Sequence, residues 1–390
     1  MGYRKWMTGG VLGLGLMASL PALGDEIRII PMITVREEYN DNLYFDPTDT
    51  ISDFITILSP GLRMERNTER LRAEFSARID QRIYADNTDL NATDQTYLGR
   101  FQYEASPVFR LSANAGFIQD SSPDRDIATT GVVQSAATRN RQIYGLSGDY
   151  TFTEKTQATL SGEYFQDRFA YSNEIDNLDA GRSNLMVTHE ILPDIRARAG
   201  LGYARYLYTA STVENYTGTV GLGWRFTEVW HAMVDVGCRY TPSQVDVSPL
   251  ESVETSGWGA VVNAMLSYRG EKTNVDFSLN HDIAPTSGRA IASERTGLGL
   301  RISRRFFYEL SGIFSGGYFL NNYTIGDFSN LNIDEKTLYI SPGLRYEFTR
   351  DMALDATYTY TRTDYARDTD SKADQNLVMV RFSLQYPILE

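Results

Sequence analysis

The chain has 390 residues, a formal net charge of −13 and a mean hydropathy of −0.34. We expect no nucleic-acid partner, because so acidic a chain repels a phosphate backbone. Its only cysteine, Cys238, excludes an internal disulfide framework.

The first 24 residues are typical of a secretory signal peptide. Arg4 and Lys5 precede an apolar run over residues 11–20, and the small residues Ala22 and Gly24 follow it. The run is too short to span a membrane well, and small residues of this kind suit a signal peptidase. We therefore expect residues 1–24 to be removed from an exported bacterial protein, and residues 25–390 to form a single domain.

A period of two recurs along the rest of the chain. Residues 71–80, 230–240, 258–268 and 352–360 each alternate apolar or aromatic side chains with polar ones. We count about 18 such segments, each long enough for the ~9–11 residues of a tilted membrane strand. This pattern predicts an all-β, antiparallel transmembrane barrel of about 18 strands, with 16 or 20 as alternatives.

The connections between these segments alternate in length. Tight turns such as FTEKT (152–156) and RGEKT (269–273) alternate with longer polar stretches such as 119–141 and 241–255. Outer-membrane barrels have short periplasmic turns and long extracellular loops, whereas a secreted sandwich or β-helix has no reason to alternate them. We therefore expect an outer-membrane location, with both termini in the periplasm.

A barrel of this size is too wide for side chains to fill, so we expect an aqueous channel. The inward-facing phase carries mixed charge with a slight basic excess. Its arginines could pair with acids to stiffen the wall, or could set a field for passing anions. The pore-lining candidates are Arg78, Arg82, Arg110, Arg196, Arg198, Arg225, Asp235, Arg239, Arg301, Arg345 and Asp355.

The longest outer connection, residues 119–141, is the third extracellular loop by this count. Its middle is small and apolar enough to pack against a wall, as the third loop of general porins does. A mobile surface loop is the equal alternative. The charged residues that could fix a constriction loop to the lumen are Asp124, Arg125, Asp126, Arg139 and Arg141.

The sequence contains no recognisable catalytic constellation. Of the three histidines, only His231 is placed inward beside an acid, Asp235, and no serine partner is identifiable. Metal-ligand spacings and phosphate-binding loops are also missing. We therefore expect no catalytic residues, no metal and no cofactor, and we treat an outer-membrane enzyme as a remote alternative.

Two N-terminal motifs resemble one known family. Residues 39–42 (YNDN), then Ser52-Asp53-Phe54 and Ser59-Pro60-Gly61, are similar to the opening of the β-barrel porin 2-like family. That family is associated with exopolysaccharide and exosortase loci. The resemblance is strong over about 30 residues and elsewhere architectural only, as in the strand rhythm.

The resemblance implies a conduit that secretes an exopolysaccharide across the outer membrane. It also implies a periplasmic polysaccharide export protein as partner, with outer-membrane lipid and lipopolysaccharide around the barrel. The alternative is a general or substrate-selective diffusion porin.

Overall fold

The computed structural model describes residues 26–170, 175–248, 251–322, 334–367 and 369–388. The expected signal peptide, residues 1–24, lies outside the described residues. Within the described ranges, no helix is long and apolar enough to cross a membrane.

The chain forms one closed antiparallel barrel of 18 strands, as predicted. Each strand pairs with the next along the chain, and β1 pairs with β18 from Met32↔Gln385 to Asn40↔Leu377. This last ladder leaves no open sheet edge. The strands are β1 (Glu26–Asn40), β2 (Asp53–Asn67), β3 (Leu71–Tyr84), β4 (Ala92–Ser106), β5 (Phe109–Asp120), β6 (Arg139–Thr153), β7 (Thr156–Phe169), β8 (Leu178–Leu192), β9 (Ile195–Leu207), β10 (Ser211–Arg225), β11 (Trp230–Ser248), β12 (Glu251–Arg269), β13 (Thr273–Ala284), β14 (Ser293–Arg305), β15 (Leu310–Asn322), β16 (Asp334–Thr349), β17 (Met352–Arg367) and β18 (Thr369–Gln385).

Contacts that skip a strand identify the inner face of the barrel. Arg198 on β9 bonds Asp235 on β11 at 2.8 Å, and Asn215 on β10 bonds Asp282 on β13 at 3.1 Å. Such contacts reach past the ladder neighbour only through the interior. The polar phase of each strand therefore faces inward.

The apolar phase faces outward and is exposed in the isolated chain. Val220 is 64% exposed and Trp258 is 75% exposed. On β17, Tyr358 is exposed outward while Asp355 is buried inward, in the arrangement predicted for residues 352–360. An apolar exterior around a polar interior is the arrangement of a barrel in lipid.

Aromatic pairs form two bands on the outer face. The rings of Trp224 and Phe226 are 4.6 Å apart near one end of the barrel, and those of Tyr203 and Tyr216 are 5.0 Å apart near the other. Tyr216 and Trp224 are separated by eight positions on β10. At ~3.3 Å per residue and a tilt of ~40°, the bands lie roughly 20 Å apart along the barrel axis. This spacing suits the apolar band of an outer-membrane barrel, and the chain is a protein of that class.

The two ends of the barrel differ. Eight connections of two to four residues and both described chain ends lie at one end, which we name the turn end. The opposite end, named the loop end, carries the longer connections, including residues 41–52, 121–138 and 285–292. The prediction of a loop at residues 241–255 is wrong. Strand β11 continues to Ser248 and β12 begins at Glu251, so most of that stretch is strand.

The two faces give a testable asymmetry on β12. Val262 faces outward at mid-height, opposite Val236, and the adjacent Asn263 faces inward, opposite Asp235. Val262→Arg should destabilise the barrel by about 2–4 kcal/mol, because a charge near the bilayer midplane loses its hydration. Asn263→Arg, at almost the same height, is the matched control and should cost far less. Denaturant-dependent refolding into lipid vesicles measures both, and equal losses would mean that the faces are reversed.

Candidate functional site

The third loop-end connection, residues 121–138 between β5 and β6, crosses the lumen. We name it the crossing loop. Its helical turn, Ile127–Thr130, contacts β15 and β16. The Asn321 side-chain amide donates to the Thr130 carbonyl at 2.9 Å, and the Thr337 hydroxyl donates to the Gly131 carbonyl at 2.6 Å. Strands β6 and β15 are nine positions apart in a ring of 18, so the loop reaches the opposite wall.

The tip of the crossing loop is shaped by a glycine. Gly131 has φ of 70°, the left-handed conformation that ends a helical turn at low cost only for glycine. A Cβ at this position would lie 2.3 Å from the Cβ of Phe319 on the opposite wall. Gly131 therefore permits both the turn and the close approach.

Buried ion pairs hold the base of the crossing loop. Arg139, whose side chain is 3% exposed, bonds Asp120 at 2.7 Å and Asp126 at 2.8 Å. Arg141 makes two bonds of 2.6 Å to the buried Asp167 on β7. Charge-assisted pairs of this kind are strong when they are shielded from water.

Arg125 and Asp124 complete this base. Arg125 lies 3.3 Å from Asp120, donates to the Ser122 carbonyl at 3.1 Å and lies over the Phe169 ring. Burial lowers the pKa of the Arg125 guanidinium from its ordinary value, and the Asp120 carboxylate opposes that effect. Asp124 contacts the Ser122 hydroxyl and lines a pocket of about 160 Å³ with Glu38 and Arg82.

An apolar cluster packs against the crossing loop. Phe45, in the connection from β1 to β2, packs with Ile127, Val133 and Ala373. It is almost fully buried and has φ of 55°, which non-glycine residues rarely adopt. The contact therefore holds Phe45 in a conformation that an isolated loop would avoid.

The N-terminal motif builds the connection that carries Phe45. The Asn42 amide donates to the carbonyls of Asp46 and Asp374, and its oxygen accepts the Asp46 N–H at 3.0 Å. The Asp41 carboxylate accepts the N–H and the side-chain amide of Asn376 on β18. Asp53 likewise accepts the N–H groups of the β3–β4 connection. These motif residues have structural roles.

A third connection, residues 285–292, also turns inward. Ser287 accepts a 3.3 Å bond from Arg139, and the Tyr208 hydroxyl accepts the N–H of Thr286 at 3.0 Å. Arg289 bonds the buried Glu335 on β16 at 2.6 Å. Two other connections, residues 41–52 and 285–292, therefore meet the crossing loop and its base.

The pore-lining candidates fall into three groups. Buried wall pairs are formed by Arg82 with Asp94, by Arg198 with Asp235, and by Asp355 with Arg345 and Arg381, while Arg239 is covered beside Asp282 and Glu294. More open pairs join Arg78 to Asp80, Arg110 to Glu104, Arg196 to Glu190 and Arg225 to Asp194. Arg301 is exposed inside the barrel and has no ion pair among the residues described. The wall-pairing interpretation thus applies to most candidates, and Arg301 differs from the rest.

Sequence reasoning missed the partners of the crossing loop. Phe45, Asp167, Asn321 and Thr337 contact or anchor it and lie far from it in sequence. Asp120 directly precedes the loop but was not singled out as an anchor. Only the position of Asp120 and Asp167 on the inward phase could have identified them. Across the ranges that the structure covers, no three His, Cys, Asp or Glu side chains cluster as metal ligands.

No family model matches the chain, and no curated protein matches it. Among solved structures, it is similar to OpdO of Pseudomonas aeruginosa (12% identity, 93% of this chain and 98% of that one, TM-score 0.48). It is also similar to the outer membrane protein opdK of the same organism (11%, 92% and 99%, 0.46). The FrpB iron transporter of Neisseria meningitidis is a third (10%, 92% and 66%, 0.49). Because identities and TM-scores are low, we draw no functional conclusion from these likenesses.

The buried base of the crossing loop gives a second prediction. Arg139→Met leaves Asp120 and Asp126 without their main partner, and breaking a buried pair in this way costs about 3–5 kcal/mol. We expect the amides of residues 121–138 to lose hydrogen-exchange protection while the strands keep theirs. Arg110→Met, at an exposed pair worth at most ~1 kcal/mol, is the control. Full protection of the loop in Arg139→Met would contradict the anchoring role.

Proposed function

We propose that this chain is an outer-membrane diffusion channel for small solutes, narrowed by the crossing loop. The single observation that carries the proposal is the attachment of that loop to both walls. Its base is held by Arg139 and its tip by Asn321 and Thr337. A barrel of 18 strands is otherwise wide enough for an open aqueous channel.

This arrangement favours small solutes over a polymer chain. A polysaccharide chain would occupy the space beside the crossing loop throughout its passage, and a branched or folded chain would have to displace the loop. Displacement would break buried ion pairs and expose Val132 and Ile127, both of which are buried. The free energy of breaking one such buried pair is about 3–5 kcal/mol, which opposes a sustained open state.

The exopolysaccharide conduit is the second candidate. It rests on the resemblance of the N-terminal motifs, and it brings a periplasmic polysaccharide export protein as partner and a polysaccharide as substrate. The structural roles of Asp41, Asn42 and Asp53 account for those residues without reference to a polymer. We therefore place this candidate second.

The proposed orientation puts the turn end in the periplasm and the loop end outside the cell. Short periplasmic turns and longer outer loops are the general rule for bacterial barrels. The two aromatic bands support contact with outer-membrane lipid, and with lipopolysaccharide in the outer leaflet.

Shortening the crossing loop tests the proposal. Deleting Thr129 to Ala136 removes the tip that contacts β15 and β16, so single-channel conductance in planar bilayers should rise. The double variant Asn321→Ala/Thr337→Val keeps the loop length and should instead cause frequent conductance steps. Thr48→Ala, at an exposed loop position, is the control and should conduct like the wild type.

Two outcomes would count against the proposal. Unchanged conductance in a folded deletion variant would show that passage is limited elsewhere. Loss of a surface polysaccharide in a strain that lacks the protein, together with a wild-type barrel that does not conduct, would favour the conduit.

A further inference from the structure

A pocket of about 440 Å³ lies in the barrel wall beside the tip of the crossing loop. Ala128 and Thr129 of the loop border it, and strands β13 to β16 form the rest of its lining. Its volume is within the ~300–1,000 Å³ of small-molecule sites. The pocket therefore lies inside the lumen, next to the contact between the loop tip and the strands β15 and β16.

Two aromatic rings form one side of this pocket. Phe319 and Tyr339 are stacked, with ring centres 6.3 Å apart and planes 13° apart. Gly317 and Gly297 make room for them, since a Cβ on Gly317 would lie 2.4 Å from the Tyr339 ring and one on Gly297 would lie 3.1 Å from Phe319. The glycines let the rings lie over the wall, and the half-buried Tyr339 lines the pocket while it also packs against the cluster of Phe45 and Ile127.

Polar side chains that have no hydrogen-bond partner among the described residues lie around these rings. In the described part of the chain, the side chains of Ser278, Asn280, Ser315 and Arg301 and the Tyr339 hydroxyl all line the pocket or its rim without a hydrogen bond to protein. Convergent polar groups beside an apolar face are typical of a ligand site.

The two carboxylates that line the pocket already accept hydrogen bonds from other protein groups. Asp276 lies opposite Arg301 in the ladder, but its carboxylate accepts bonds from Arg269 at 2.6 Å and Ser267 at 2.9 Å. Asp282 accepts bonds from Asn215 at 3.1 Å and from the Ile283 N–H at 2.7 Å. Of the two arginines that line the pocket, Arg295 bonds the Asn321 side-chain oxygen at 2.8 Å, whereas Arg301 has no hydrogen bond or ion pair in the described part of the chain. Arg301 is therefore the arginine that can bind an anionic ligand.

We propose that this pocket binds a sugar of one or two rings that carries a single carboxylate. The Tyr339 face takes the C–H face of the ring, Asn280 and the two serines bond its hydroxyls, and Arg301 pairs with the carboxylate. This inference rests on the proposed function, because a diffusing solute reaches the pocket only through an open lumen.

Solute block of ion current tests the pocket. In the wild-type barrel, glucuronate should reduce single-channel current at about a tenfold lower concentration than glucose, since only the acid gains a charge-assisted hydrogen bond to Arg301. Arg301→Gln should remove that tenfold preference and leave the glucose block unchanged. Tyr339→Leu should weaken the block by both sugars, whereas Tyr339→Phe keeps the ring and should weaken it far less.

The matched control is Arg100→Gln. Arg100 is an exposed inward arginine on β4, far from the pocket, and lies 3.8 Å from Glu74. This variant should keep both half-blocking concentrations. Loss of the glucuronate preference in Arg100→Gln as well would assign the preference to the overall charge of the lumen and overturn the pocket.

The failures of the two proposals are distinguishable. A barrel that conducts but is blocked by neither sugar overturns the pocket and leaves the diffusion channel standing. Block by acetate as strong as block by glucuronate overturns the sugar class. If the barrel does not conduct, calorimetric titration of the detergent-solubilised protein with glucuronate still tests the pocket, and no difference between wild type and Arg301→Gln overturns it.

Discussion

Every backbone N–H and C=O group that crosses a bilayer must be paired within the protein, and the whole structure depends on this constraint. The β1–β18 ladder satisfies it by closing the sheet. Closure divides the side chains of every strand between lipid and lumen with a period of two. A polar interior and an apolar exterior then follow, as shown by the buried Asp355 and the exposed Tyr358 on one strand.

A closed ring of 18 strands encloses more space than its inward side chains fill, and the chain fills part of it with its own loops. The crossing loop lies at the centre of this arrangement, and Phe45 and Ser287 approach it from two other connections. Burial makes the ion pairs of Arg139 strong and also makes their loss costly. The same interactions that fold the loop inward therefore keep it there.

The wall opposite the crossing loop is adapted to its presence. Gly131 lets the loop approach Phe319, and Gly297 and Gly317 let Phe319 and Tyr339 lie over the strands. Because these three positions carry glycine, space remains in the lumen beside the loop tip. Arg301 is exposed in that space without an ion pair among the described residues, which distinguishes it from paired lumen arginines such as Arg198. The contact between the loop tip and this wall therefore narrows the lumen and also borders the proposed binding pocket.

The sequence by itself determined the barrel, a strand count of about 18 and the alternation of two faces along the strands, because a period of two is a local property that the membrane enforces on every strand. It also singled out residues 119–141 by length and charge, with a constriction loop and a mobile surface loop as equal alternatives. It did not predict the strands at 241–255, whose polar composition resembles a loop. Nor did it predict that Phe45, Asn321 and Thr337 would meet the crossing loop, or that Arg239 would be covered while Arg301 stays open. The strands at 241–255 are a pairing of the neighbouring strands β11 and β12, and Arg239 is covered from the nearby strands β13 and β14. The contacts of Phe45, Asn321 and Thr337 were decided by tertiary structure alone, because they join segments across the lumen that only closure of the ring brings together.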